Sequence, residues 1–194
     1  IHEFGYVPKV EDCVIESRHL GLVMPEEIPQ LKERLQKLSQ ILEKSLEIDE
    51  ILKLAKSASE LYGSFSSEWK AMEKLRIGLA KDEAFCFFYE DNLALLKEMG
   101  AELVPFSPIH DKHLPENLDG LLLYGGYPEL NGQKLEANIA MRGEIRQALT
   151  DGMPCLAECG GFMYLHEQME GMDGRFYQMA GAISGKVFRT PRLT

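Results

Sequence analysis

The chemistry of this chain is expected to depend on Cys159, which two glycines follow directly. Residues 154–158 before it form a short, mostly apolar run, and the residues after Gly161 favour a helix. A nucleophile at such a strand-to-helix turn is exposed above the carboxyl edge of a parallel sheet. Gly160 would let its backbone N–H reach an oxyanion, and Gly161 would let the helix approach the sheet. A buried structural cysteine is the alternative, because free cysteine is among the most buried residue types.

A second pair of glycines, Gly125 and Gly126, follows the apolar run at 119–124. Adjacent glycines at the end of a strand allow backbone N–H groups to turn into a site, where this pair could supply the other oxyanion donor. A plain glycine turn ahead of Pro128 is the alternative. The pair matches neither a P-loop nor a dinucleotide-binding fingerprint, so it predicts no phosphate site.

The histidines indicate no catalytic base or metal site. His110 and His113 lie in one loop segment, but no matching cluster of cysteine and histidine completes a ligand set, which favours a solvated loop. His166 follows Cys159 by two helical turns, roughly 10 Å, which is too far for a general base. Cys155 and Cys159 do not have the redox spacing of two intervening residues, and Cys155 is interpreted as a core residue.

Composition excludes several classes of function. The chain has 194 residues, enough for one domain or for one domain and part of another. Its formal net charge of −10 disfavours nucleic-acid binding. No apolar run approaches the roughly 18 residues that a membrane helix needs, so no membrane partner is expected. Four cysteines are too few for a disulfide scaffold, and no secretory apolar segment opens the sequence. Both observations favour the cytoplasm as the compartment.

The order of apolar and helical segments predicts an α/β fold with a mostly parallel sheet. Strands are expected at 76–80, 102–106, 119–124 and 154–158, helices at 89–99 and 136–150, and a weaker β region at 176–185. The preceding part is expected to contain extended segments at 5–9 and 18–23, helices at 25–42 and 48–62, and a domain boundary near 63–67.

Several segments resemble a known family, the cobyrinic acid a,c-diamide synthases, in its glutaminase domain. This domain is of the class I glutamine amidotransferase type, and the segments are 76–93, 100–103, 125–130 and 157–165. Residues 5–22 are similar to the last part of the family's ATP-using domain, a P-loop domain like dethiobiotin synthetase. The resemblance implies that 1–65 is the C-terminal part of the synthetase domain with a helical linker. It further implies that 66–194 is an amidotransferase-like, three-layer αβα domain, truncated at its C-terminus.

The same resemblance implies an enzyme of cobalamin biosynthesis, a glutamine-hydrolysing carbon–nitrogen ligase. Such a ligase amidates the a- and c-acetate carboxylates of cobyrinate with ATP, Mg²⁺ and ammonia from glutamine. The match gives Cys159 the role of nucleophile, with oxyanion donors at Gly126 and Gly160. The implied partners are glutamine and cobyrinate, and a homodimer remains open.

The chain departs from the family in lacking a P-loop, in having no histidine after His166 and in carrying Tyr124 where the family tends to have a third glycine. We therefore expect the ATP and corrinoid sites, and the histidine and acid of the triad, to lie outside these residues. The chain alone is then expected to be an inactive fragment.

Two alternatives stay open. The first is an a,c-diamide synthase of the same architecture that acts on another tetrapyrrole, such as Ni-sirohydrochlorin, because the missing synthetase half would choose the substrate. The second is a non-catalytic amidotransferase-like module that acts in partner binding or regulation. The intact Cys159 argues against the second, since such modules usually lose their nucleophile.

Overall fold

The computed structural model describes residues 2–18, 21–63 and 74–190, and the chain divides into two units, Ile1–Ser66 and Ser67–Thr194. No helix in these described stretches combines the length and apolar character needed to cross a bilayer. The expected boundary near 63–67 lies mostly outside the described residues. The assignment of the first unit to a synthetase domain stays a prediction.

The described residues of the first unit form two helices and a short ribbon. The ribbon pairs β1 (Ser17–Arg18) with β2 (Gly21–Leu22) in antiparallel fashion, and the helices are α1 (Leu31–Ser45) and α2 (Ile48–Lys56). The expected extended segment at 5–9 is reduced to one bridge between Gly5 and Leu46.

Both helices of the first unit differ from the predicted bounds. Pro25 begins a short 3-10 turn instead of the α-helix, because Pro29 disfavours helical backbone at Ile28, which is extended. The second helix ends at Lys56 because the hydroxyl of Ser57 donates to the carbonyl of Leu54, a local bond that competes with helix continuation.

The second unit is an α/β unit with a four-stranded parallel sheet. Its strands are β3 (Arg76–Ala80), β4 (Glu102–Phe106), β5 (Gly120–Leu123) and β6 (Cys155–Ala157), in the order β4-β3-β5-β6. The helices of this unit are α3 (Glu90–Glu98), α4 (Gly132–Ala137), α5 (Ile139–Thr150) and α6 (Gly160–Tyr164). The predicted α/β class and mostly parallel sheet are confirmed.

Strand β5 is one of the two inner strands of this sheet. All four residues of β5 are buried, which is typical of a strand covered on both faces. The carboxyl ends of parallel strands meet at one edge, so the loops after β3, β5 and β6 lie close together. The glycine pair at 125–126 and Cys159 therefore belong to the same edge of the sheet.

A smaller sheet follows the parallel one. It consists of β7 (His166–Glu170), β8 (Phe176–Gln178) and β9 (Ile183–Val187), in which β7 is antiparallel to β8 and parallel to β9. The weak β region expected at 176–185 corresponds to the last two strands. Strand β7 was not predicted, because its sequence contains few apolar residues and only Met169 in it is buried.

The single helix expected at 136–150 is divided at Asn138. The side-chain oxygen of Asn138 accepts from the backbone N–H of Met141. The side-chain NH2 of Asn138 donates to the carbonyls of Pro108 and Asp111, at 2.9 and 2.7 Å. Asn138 is thus the cap of α5 and fixes the loop after β4, a tertiary role that periodicity alone does not reveal.

Helix α6 packs backbone against backbone on the sheet. A Cβ at Gly161 would overlap the carbonyl oxygen of Leu123 in β5, so no other residue fits without moving the helix. The predicted role of Gly161, to let the helix approach the sheet, matches this packing.

The substitution Gly161→Ala is expected to destabilise the chain, by about 1–3 kcal/mol, because α6 must move away from β5. Gly143→Ala is the matched control. Gly143 lies inside α5 with nothing within 4 Å of an added Cβ, so alanine should stabilise by about 0.5–1 kcal/mol. Urea unfolding followed by circular dichroism measures both free energies. Equal stability of Gly161→Ala and the unsubstituted chain would contradict the packing described for α6.

Candidate active site

Cys159 occupies the turn between β6 and α6 in an unusual backbone conformation. Its φ is 48° and its ψ is −111°, a sparsely populated region that costs a residue with a side chain about 1–3 kcal/mol. Backbone bonds of 2.9 Å hold this turn, from Glu158 N–H to the Leu123 carbonyl and from Met163 N–H to the Cys159 carbonyl. The turn is thus imposed by its surroundings, as in a nucleophile elbow.

The four cysteines lie in different environments. Cys159 is exposed, whereas Cys13, Cys86 and Cys155 are partly buried. Cys155 packs against the hydrophobic core, and burial raises the pKa of its thiol to about 11. The interpretation of Cys155 as a core residue agrees with its position, and the alternative of a buried structural role for Cys159 does not.

The two glycine pairs lie next to each other at Cys159. A Cβ on Gly125 would stand 3.5 Å from the Cβ of Cys159, and a Cβ on Gly160 would stand 3.2 Å from the backbone nitrogen of Gly126. The three residues expected to form the site, Cys159, Gly126 and Gly160, are therefore brought together.

Among the described residues, neither backbone N–H next to Cys159 donates to a main-chain carbonyl. Gly160 is the first residue of α6, and the first N–H groups of a helix have no partner within it. Among the described residues, the N–H of Gly126 donates to no backbone carbonyl. Two such donors beside a thiol form an arrangement that can stabilise the oxyanion of an acyl-transfer reaction.

Aromatic side chains lie beside the glycine pair at 125–126, since Tyr124 and Tyr127 flank it in the chain and Phe87 lies next to Gly125. Phe87 is partly exposed and its ring meets the buried Tyr127 edge to face, with 5.1 Å between the centroids. Burial, together with the nearby carboxylate of Glu158, raises the pKa of Tyr124, so its phenol stays protonated at neutral pH.

His166 does not lie on the helix that follows Cys159. Helix α6 contains only five residues, and His166 is the first residue of β7. The expectation that it projects two helical turns below Cys159 is wrong, because the chain leaves the helix at Leu165. Its Nδ1 donates to the carbonyl of Phe162 at 3.0 Å, and in the described part of the chain the thiol of Cys159 has no histidine partner.

The histidines of the loop after β4 form hydrogen bonds with carboxylates. His110 and Lys134 both bond to Glu83, each at 2.9 Å, and His113 pairs with Glu144. Burial alone would raise the pKa of Glu83, but the bonds from Lys134 and His110 lower it to about 2. Within the described residues, no group of three side chains could hold a metal ion.

The sequence profile of the CobB/CobQ-like glutamine amidotransferase domain matches residues 76–194. This span contains β3 to β9 and all of the candidate site. The chain belongs to the CobB/CobQ-like glutamine amidotransferase family. The resemblance inferred from the motifs is thereby confirmed.

Three similar proteins are cobyrinate a,c-diamide synthases. The chain is 45% identical over 194 residues to the cobyrinate a,c-diamide synthase of Clostridium acetobutylicum. It is 38% and 37% identical over 193 residues to the synthases of Caldanaerobacter subterraneus subsp. tengcongensis and Thermoplasma volcanium. Each match covers 100% of this chain but only 42% of the relative, so the chain spans less than half of their length.

The loop at 82–88 was not assigned a role at this site from the sequence. The backbone N–H groups of Cys86 and Phe87 both donate to the carbonyl of Gly125, each at 3.0 Å. The available signal was Asp82, two residues after the end of β3, since aspartate often bonds to the backbone two residues further on.

Cys159 is expected to react fastest of the four cysteines with iodoacetamide in the folded chain, because its side chain is exposed. Cys155 is expected to react slowest, since burial and a pKa near 11 keep it protonated at neutral pH. Peptide mass spectrometry after limited labelling gives the order. Labelling after denaturation in urea is the control, in which the preference should disappear. Faster modification of Cys155 or Cys86 in the folded chain would contradict this account of the site.

Proposed function

We propose that this chain is the glutaminase part of an ATP- and glutamine-dependent ligase that amidates the a- and c-acetate carboxylates of cobyrinate. The family match supports glutamine as the nitrogen donor. The names of the relatives favour cobyrinate over Ni-sirohydrochlorin as the acceptor. The observation that carries the proposal is the approach of Gly126 N to the start of α6, beside an exposed cysteine.

In the proposed reaction, the thiolate of Cys159 attacks the side-chain amide carbon of glutamine. The amide oxygen becomes an oxyanion that accepts from the N–H groups of Gly126 and Gly160. The carbon–nitrogen bond then breaks and ammonia leaves with a proton from a general acid, which gives a γ-glutamyl thioester. Water hydrolyses this thioester, so that glutamine and water yield glutamate and ammonia.

We place the acid–base histidine of this reaction and its acidic partner outside the described residues. His166 is occupied by the Phe162 carbonyl, and His110 and His113 are paired with carboxylates. In this proposal, residues 66–194 form a three-layer αβα amidotransferase domain, and 1–65 form the end of the P-loop synthetase domain with a helical linker. No residue of this chain is assigned to ATP, Mg²⁺ or the corrinoid.

The full-length protein is expected to release ammonia from glutamine, and Cys159→Ala should lower this rate by at least about 10³-fold, because the nucleophile is lost. Amidation of cobyrinate with ammonium chloride should continue in the same variant, since ammonia then bypasses the glutaminase site. Cys155→Ala is the matched control and should keep the glutamine-dependent rate. Ammonia release that survives Cys159→Ala would contradict the proposed nucleophile.

The 194-residue chain alone is expected to hydrolyse glutamine slower than the full-length protein by about 10²–10⁴-fold, the usual contribution of positioned acid–base groups. A coupled glutamate dehydrogenase assay compares the two at equal concentrations. Comparable rates, abolished by Cys159→Ala, would mean that a base lies within these residues.

A further inference from the structure

The carboxylate of Asp82 organises the loop that follows β3. Its Oδ1 accepts from the backbone N–H groups of Ala84 and Phe85 at 2.9 and 3.2 Å. Its Oδ2 accepts from the hydroxyl of Ser107 at 2.7 Å and from the N–H of Ile109 at 2.9 Å. One side chain therefore fixes both the turn after β3 and the loop after β4.

The turn that Asp82 fixes lies directly against the glycine pair. Asp82 and Phe85 exchange two backbone bonds of 3.1 Å, which close the turn. The carbonyl of Ala84 then packs on Gly126 so closely that a Cβ there would overlap it. The position of the turn therefore limits where the backbone of Gly126 can lie.

The next two residues hold the peptide between Gly125 and Gly126. Cys86 and Phe87 donate their N–H groups to the carbonyl of Gly125, each at 3.0 Å. In a trans peptide the carbonyl and the N–H point in opposite directions. Because the carbonyl faces the loop at 82–88, the N–H of Gly126 faces the other way. Gly160, whose Cβ would stand 3.2 Å from the Gly126 nitrogen, lies near this N–H.

We propose that Asp82 is a positioning residue for glutamine hydrolysis, one that sets the orientation of the Gly125–Gly126 peptide and hence of the Gly126 oxyanion donor. This inference rests on the proposed function, since it assumes an oxyanion at Gly126. Asp82 acts by holding the N–H groups of Ala84 and Phe85, which fixes the turn. Among the described residues it makes no hydrogen bond to Cys159. If the turn loosens, the Gly125–Gly126 peptide can tilt, so that the N–H of Gly126 no longer points at the oxyanion.

The proposal predicts a particular pattern of kinetic changes. An oxyanion donor contributes in the transition state, so its misorientation lowers kcat and leaves the KM for glutamine nearly unchanged. Alkylation of Cys159 by iodoacetamide forms no oxyanion, so its rate should not change. General loss of structure would instead alter the alkylation rate, the KM and the unfolding temperature together.

Asp82→Asn and Ser107→Ala in the full-length protein test the proposal. In either orientation the asparagine –NH2 would face at least one backbone N–H, that of Ile109 at the Oδ2 position or those of Ala84 and Phe85 at the Oδ1 position. Ser107→Ala removes only one of the four bonds to Asp82. Loss of a whole oxyanion donor lowers kcat by about 10²–10³-fold, so we expect about 10–100-fold for Asp82→Asn and about 2–5-fold for Ser107→Ala.

The matched control is Asp119→Asn. Asp119 also accepts a backbone N–H, that of Arg76 at 2.7 Å, but at the opposite end of the same strand. The Asp119→Asn variant should have the same kcat, KM and Cys159 alkylation rate as the unsubstituted protein.

The outcomes separate the two proposals. A fall in kcat for Asp82→Asn and Ser107→Ala, with KM and Cys159 alkylation unchanged, supports the inference. Unchanged kcat in both overturns it while glutamine hydrolysis by the unsubstituted protein still stands. Equal falls in kcat and alkylation also overturn it, since they indicate a general structural role. If Asp82→Asn does not fold, Ser107→Ala decides by the same criteria. No hydrolysis by the unsubstituted protein would instead overturn the proposed function.

Discussion

The close approach of main chain to main chain around Cys159 is the constraint on which the rest of the site depends. At Gly161 a side chain would overlap the Leu123 carbonyl, and at Gly126 it would overlap the Ala84 carbonyl. At Gly160 it would stand 2.8 Å from Pro128. Without side chains at these three positions, polar backbone groups can surround the thiol. Such groups are fixed by the fold, so they need little rearrangement when charge develops on a substrate.

The parallel sheet supplies this constraint by bringing three loops to one edge. Strand β5 lies between β3 and β6, so the loops that follow these three strands are neighbours. The Leu123 carbonyl accepts a hydrogen bond from the N–H of Glu158. This bond joins the end of β5 to the residue before Cys159. The positive φ at Cys159 raises the free energy of the backbone by about 1–3 kcal/mol, and the contacts at this edge of the sheet offset that penalty. The strained turn is thus stabilised by the same contacts that arrange the donors.

The sequence was informative where local chemistry determines local structure. Strands β3 and β4 have the predicted bounds, and Gly100 ends α3 with a φ of 101°, as expected for a helix stop. Features set by tertiary contacts were missed: the break at Asn138 depends on carbonyls from a distant loop. For the same reason, Cys159 and Gly126 could be selected from their motifs, whereas the support from Asp82 could not. Its partners at Ser107 and Ile109 are 25 and 27 residues away in the chain.

The central claim is that Cys159 becomes acylated between two backbone donors. Acid quenching of the full-length protein during glutamine turnover, followed by peptide mass spectrometry, tests it most directly, because a thioester survives in acid. The account predicts a mass increase of one γ-glutamyl group on the peptide that contains Cys159. The increase should be absent when glutamate replaces glutamine. Ammonia release without any adduct at Cys159, or with the adduct on another cysteine, would contradict the account.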